Sequence, residues 1–204
     1  MKPKVSAVFL NVPFDKAYEK YFLALIAAVV SAGRAPRTVL ELPEHGEGRL
    51  SRLMKHLHDC ELSLHDLSRV GTPVRFNMPF ELGLACALSH FKPPHAYVLL
   101  ESKRYRLDQT LSDIKGRDPY VYGESVRRLI GSVMGALRRK SGANPIPQDV
   151  FVLYMALRAM AKVIKRQSGS DTLYERSVFE DTVTAASLLA ADAGFITGPG
   201  SRVA

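Results

Sequence analysis

Along the first 140 residues, short uninterrupted apolar runs alternate with longer stretches in which apolar residues recur every three to four positions. The first kind of run reads as a buried strand and the second as a helix with one face inward. On this basis strands are expected at Val5 to Leu10, Thr38 to Leu42, Leu62 to Asp66, Ala96 to Glu101 and Pro119 to Tyr122. Helices are expected at Lys16 to Ser31, Arg49 to Cys60, Met78 to Phe91 and Glu124 to Ser141. Asp15 and Asn77 are N-cap residue types, and Gly33 suits the end of the first helix. Strands that alternate with helices signal an α/β fold, here a flavodoxin-like or Rossmann-like five-stranded parallel sheet with flanking helices.

The pattern changes after Ser141. "GANPIPQD" has the composition of a linker, and beyond it a helical stripe runs through Val150, Phe151, Tyr154, Leu157, Ala161 and Ile164. A second helix is expected from Thr172 to Ala193. The expected organisation is an α/β domain over residues 1–142 and a C-terminal helical pair over 143–204 that packs on the sheet or forms a homodimer. The closing "GPGSRVA" reads as a loose tail.

Composition narrows the function classes. The formal charge of +8 is confined to residues 1–142, with 22 basic against 14 acidic side chains, whereas residues 143–204 carry six of each. A basic domain favours an anionic ligand. Nucleic acid is disfavoured because aromatic residues stand beside the basic ones only weakly. The longest apolar run, Phe22 to Val30, is too short to span a membrane. Val5 to Leu10 is too brief for the core of an export signal, so a cytoplasmic location is expected. Cys60 and Cys86 lack metal-ligand spacing and read as core residues. No glycine-rich phosphate loop, nucleophile elbow or metal set is present, so neither cofactor nor metal is expected.

In an open parallel sheet, ligands bind beyond the carboxyl ends of the strands, where the strand order reverses. With the order 2-1-3-4-5, the loop Asn11 to Asp15 faces His65 to Arg69, and Asn77 to Glu81 opens the next helix at the same edge. The convergent groups form a carboxylate site: Glu81 and Asp66 as candidate catalytic residues, with Asn11, Asp15, His65 and Asn77 as binding groups. A carboxylate can attack an anomeric carbon or stabilise the positive charge that develops as a glycosidic bond breaks. Against this stands a structural role, in which Glu81 occupies the first turn of a helix capped by Asn77 and only complements the helix dipole.

The "HDLS" strand end at His65 to Ser68, followed by "FNMPFELGLACAL" from Phe76 to Leu88, resembles the nucleoside 2-deoxyribosyltransferase-like superfamily. The resemblance covers about residues 5–102, and its most specific part is "PFELGLA", Pro79 to Ala85. TIR-type NAD hydrolases share the broad fold and place a glutamate comparably. The resemblance implies that Glu81 is the nucleophile, that Asp66 binds the base or sugar, and that the chain is an N-glycosidase or N-glycosyltransferase. Where that family carries an Asp before the nucleophile, this chain has Arg75-Phe76-Asn77-Met78-Pro79. Arg75 suits a phosphate, which shifts the expected substrate from a nucleoside to a nucleotide or a dinucleotide such as NAD. The alternative expectation is a nonenzymatic nucleotide-sensing module built on the same crevice.

Overall fold

A computed structural model of the chain describes residues 6–41, 48–69, 76–91, 94–114, 116–139 and 144–196. Arg75, Leu42 and the tail from Gly198 fall outside them. The strands are β1 (Ala7–Asn11), β2 (Ala35–Arg37), β3 (Leu62–Asp66), β4 (Ala96–Glu101) and β5 (Tyr120–Val121). The helices are α1 (Glu19–Ser31), α2 (Arg49–Asp59), α3 (Asn77–Phe91), α4 (Arg106–Thr110), α5 (Val126–Ala136), α6 (Pro147–Gln167) and α7 (Arg176–Asp192). The strands form one five-stranded parallel sheet in the order β2-β1-β3-β4-β5, flanked by helices, which is the flavodoxin-like arrangement expected. Register places Asn11 beside His65, and Asp66 beside Leu100.

The chain divides into two compact units that interleave along the sequence. One comprises residues 1–6, 14–36 and 130–204, the other residues 7–13 and 37–129. Helix α1, expected to belong with the first 142 residues, therefore shares a unit with α6 and α7.

In that first unit, α1 is apolar on every side, and all of Tyr21 to Ser31 is buried. Phe22 lies 5.8 Å from Phe179 and 5.3 Å from Tyr174, ring centre to ring centre, so aromatic contacts join α1 to the C-terminal helices. Glu19 adds a salt bridge to Lys165 at 2.8 Å and accepts the Leu173 amide at 3.0 Å. Gly33 ends α1 with a φ of +72°, as expected of a helix stop, while its amide bonds Val30 O and that of Arg34 bonds Val29 O.

In the second unit, α2 and α3 pack on one face of the sheet. Phe9, Leu53, Leu57, Cys60 and Ala85 form one cluster, and Leu67, Met78, Leu82, Leu99 and Leu107 form another. Both clusters draw on the sheet face that carries Phe9, Asn11, Ser63 and His65, because alternate residues of a strand share a face.

Several boundaries depart from the sequence reading, and three of them have a plain local cause. The second strand lies at Ala35–Arg37, and Val39–Glu41 is a 3-10 turn. There the Thr38 hydroxyl accepts the Leu40 amide at 3.2 Å and the Glu41 carboxylate accepts the Thr38 amide at 2.9 Å, so local side-chain bonds override a strand-like pattern. Helix α5 starts at Val126 because Gly123 and Glu124 both have φ of +56°, outside the helical region. Helix α6 begins inside the expected linker, at Pro147, whose fixed φ suits a first helical turn. Among the described residues no helix is long and apolar enough to cross a membrane.

Candidate functional site

All four strands of the second unit end in polar side chains at the carboxyl edge of the sheet. Asn11 ends β1, Asp66 ends β3, Glu101 ends β4 and Tyr122 follows β5. All four are buried, Asn11 at 2% exposure and Asp66 and Glu101 at 0%. A buried polar group must find partners or lose free energy on folding, so their bonds show what each is held for.

Asn11 and His65 form one end of a hydrogen-bonded chain. The Asn11 side-chain amide donates to the Met78 carbonyl at 3.0 Å and to His65 Nδ1 at 2.8 Å. Because a carbonyl can only accept, the amide nitrogen is fixed on that side, and His65 Nδ1 must be unprotonated. His65 Nε2–H then donates to Ser63 Oγ at 2.8 Å, and the Ser63 hydroxyl donates to His95 Nε2 at 3.1 Å. His95 Nδ1–H donates to the Cys60 carbonyl at 2.9 Å. Read from the Cys60 end the same tautomers result, so the direction of every proton is set twice. Burial, and then the neighbouring His95, hold His65 down at a pKa of about 3, which makes it a neutral ring. This chain ties β1 and β3 to the first turn of α3 at the point where the strand order reverses.

Glu81 lies on α3 three residues beyond Met78, therefore on the same face of the helix. The helix starts one residue earlier than expected, at Asn77, and its first bond runs from the Phe80 amide to the Phe76 carbonyl at 3.1 Å. Glu81 is thus the fifth helical residue, beyond the unpaired amides of the first turn, and the expected complementation of the helix start does not hold. Asn77 is exposed at that start, as the first helical residue rather than the cap. Glu81 is only 8% exposed and makes no hydrogen bond or ion pair among the described residues. Burial pushes its carboxyl up to about 7, and the charge of Arg49 offsets part of that rise.

Asp66 is placed differently. As the neighbour of His65 in a strand it points to the other face of the sheet, away from Asn11. Its Oδ1 accepts the Ser68 amide at 2.9 Å and its Oδ2 accepts the Tyr122 hydroxyl at 3.0 Å. Removing that hydroxyl by Tyr122→Phe takes a donor from a buried carboxylate. The expected cost is about 1–3 kcal/mol in urea unfolding, and an unchanged midpoint would mean that the bond is not formed in solution.

Asp15, in the other unit, accepts the Tyr18 amide at 3.0 Å and closes the turn before α1, so it caps that turn rather than the helix expected at Lys16. Two further basic side chains of the second unit, Arg106 and Arg117, are engaged within the fold. Arg106 grips the buried Glu101 with both ends of its guanidinium, Nε at 2.9 Å, and donates to the Leu67 carbonyl at 3.1 Å. Arg117 lies 4.1 Å over the Tyr97 ring.

Sequence reasoning missed Ser63, His95 and Tyr122, whose roles depend on partners 32 and 56 residues away. A Ser-x-His step on one strand face was the only signal for the first. It also passed over Phe76 and Phe80, one turn apart at the start of α3 and 75% and 53% exposed. Exposed aromatic rings one turn apart offer a stacking surface for a planar base. The described residues hold no cluster of His, Cys, Asp and Glu able to bind a metal. Compared with known proteins, the chain matches no family model, no curated protein and no solved structure.

Proposed function

We propose that the chain is an N-glycosidase or N-glycosyltransferase acting on a nucleotide-type substrate, with Glu81 as the nucleophile. The observation that carries this reading is a buried carboxyl, without hydrogen bond or ion pair among the described residues, one turn from the junction of Asn11, His65 and Met78. A carboxylate kept largely out of water, with the Arg49 charge acting on it but not paired to it, is poised to meet a positive sugar carbon. In the proposed step the Glu81 carboxylate bonds to the anomeric carbon, and the glycosidic electron pair leaves with the base. Water or an acceptor base then attacks the same carbon and releases Glu81.

The engagement of Asp66 bears on the substrate. An ordinary nucleobase leaves more easily when an acid protonates it, and Asp66 already accepts bonds from Ser68 and Tyr122. A pyridinium nucleotide such as NAD needs no such proton, because its cationic nitrogen becomes neutral as the bond breaks. The basic residues 1–142 and the exposed rings of Phe76 and Phe80 favour an anionic ligand with a planar base. The resemblance to nucleoside 2-deoxyribosyltransferase-like proteins and to TIR-type NAD hydrolases supports the same chemistry. Asn11, His65 and Asn77 belong to the proposed site as groups that shape it, and Arg75 as a phosphate contact.

The test is release of nicotinamide or free base from a panel of NAD, nucleotides and nucleosides, followed chromatographically. Turnover by the native chain is expected to fall about a hundredfold or more in Glu81→Gln. Full activity in the variant removes Glu81 from the chemistry. Tight binding of NAD without release favours the second reading, a nucleotide-sensing module. The tied-up Asp66 is the observation on that side.

A further inference from the structure

Among the described residues, one arginine of α2 has a head group without a counterpart. The Nε and Nη1 atoms of Arg52 are shut off from water and donate to no acceptor there. An N–H in that state has lost its bonds to water without replacement, and a guanidinium keeps its charge wherever it is placed. An arginine retained only for its aliphatic stem holds its head group out in water, the reverse of this arrangement. Arg37 and Arg106, in the same unit, each hold a carboxylate, Glu41 and Glu101. Arg52 holds none among the described residues, so its buried donors are left for an anion from outside the chain.

The surroundings of Arg52 indicate which anion. Arg49 precedes it by three positions, so the two side chains leave neighbouring points of the helix surface. Leu53 and Leu57 turn α2 towards the core, and at 3.6 residues per turn Arg49 stands about 40° and Arg52 about 100° to the same side of Leu53. From Arg49 to Lys55 the helix has no acidic residue. Because α2 leads from β2 to β3 and α3 from β3 to β4 in a parallel sheet, both helices start at its carboxyl edge. The charge of Arg49 accordingly reaches Glu81, yet no ion pair joins the two among the described residues. Two guanidinium groups on one flank suit a phosphate, which takes paired N–H bonds and whose charge approaches two, better than a singly charged carboxylate.

We propose that Arg49 and Arg52 form a phosphate-binding subsite on one flank of α2, which holds a phosphate of the substrate while its sugar faces Glu81. The subsite itself stands on the buried donors of Arg52 and on the placement of Arg49 at the sheet edge that carries Glu81. Its assignment to the substrate rests on the glycosidic reading. The consequence for that reading is a preference for nucleotides over nucleosides, set by contacts away from the bond that breaks.

Titration calorimetry of the full chain with ribose 5-phosphate, compared with ribose at the same ionic strength, tests it. The phosphate ester is expected to bind and ribose is not. Arg52→Met, which keeps the stem and removes the charge, is expected to weaken binding by about tenfold or more, and Arg49→Met likewise. Lys55→Met makes the same change of charge at an exposed position of the same helix and should leave binding unchanged. Without ligand, Arg52→Met should melt no lower than the native chain, because it removes a buried donor group and no bond. Added inorganic phosphate should then raise the melting temperature of the native chain and not that of the variant. A variant that melts several degrees lower shows that Arg52 holds the fold together, and overturns the proposal. Equal weakening by Lys55→Met overturns it as well, as does no binding of ribose 5-phosphate at about 10 mM. The two readings fail separately. Phosphate binding that Arg52→Met removes, in a chain that releases no base from any nucleotide, leaves the subsite standing without the glycosidic reaction. Base release as fast from nucleosides as from nucleotides keeps the reaction and overturns the subsite.

Discussion

Acidification below pH 6.5 is expected to destabilise the protein steeply, with His65 alone removing on the order of 5 kcal/mol by pH 3. The folded pKa of about 3 lies well below the 6.5 of an ordinary histidine. The unfolded chain therefore binds a proton that the folded chain refuses. Stability from this group is fully present above pH 6.5 and drains away as the pH falls towards 3, at up to about 1.4 kcal/mol per pH unit. The geometry supplies the reason. Protonating Nδ1 would turn it towards the Asn11 amide, donor against donor, while Nε2–H is already committed to Ser63. The proton can be admitted only by breaking the chain from Asn11 to Cys60 and leaving a charge in a fully buried position. Urea unfolding at intervals from pH 7 to pH 4 measures this. In His65→Gln, which cannot titrate, the dependence on pH should lose about one proton's worth of slope, although the variant starts from lower stability at neutral pH. Equal slopes in the two proteins would mean that His65 is solvated or charged in the folded state.

That chain marks the limit of what the sequence makes legible. The sheet, its order and most helices follow from runs and periodicities, which report burial directly. Burial dominates the placement of Phe9, Leu64 or Ala85. The failures occur where short-range bonds or backbone geometry outweigh it: the turn at Thr38 to Glu41, the left-handed pair Gly123 and Glu124, and the early start of α6. The site shows the same division. That Asn11, His65 and the start of α3 meet was readable, because strand order alone brings them to one edge. Strand alternation also implied that His65 and Asp66 point to opposite faces, so a site using both as neighbours was the weaker part of the reading. The bonds of Asp66 to Tyr122, and of Ser63 to His95, join segments whose pairing only the folded sheet decides.

Glu81→Gln is expected to stabilise the protein above neutral pH while leaving it little changed at pH 5. The pKa of Glu81 is raised from 4.5 to about 7, so here the folded chain holds a proton that the unfolded chain releases. Stability from this group is complete below pH 4.5 and is lost as the pH rises through 7, by roughly 3 kcal/mol in full. Glutamine has the shape of the protonated acid and cannot ionise, so it escapes that loss. For a chain of this length each kcal/mol moves the melting temperature by about 2–4 °C, so the two proteins should melt together at pH 5 and separate by several degrees at pH 8. The same titration sets the expected rate profile. If the ionised form attacks the sugar, kcat/KM rises with pH to a plateau, half-maximal near 7. A general acid at this position would show the reverse. Under the proposed function, stability would be sacrificed at the reacting residue, the usual compromise of an active site. Coincident melting curves at pH 8 would show that the Glu81 carboxylate is already solvated or paired, and the case for a charge held ready for substrate would go with it.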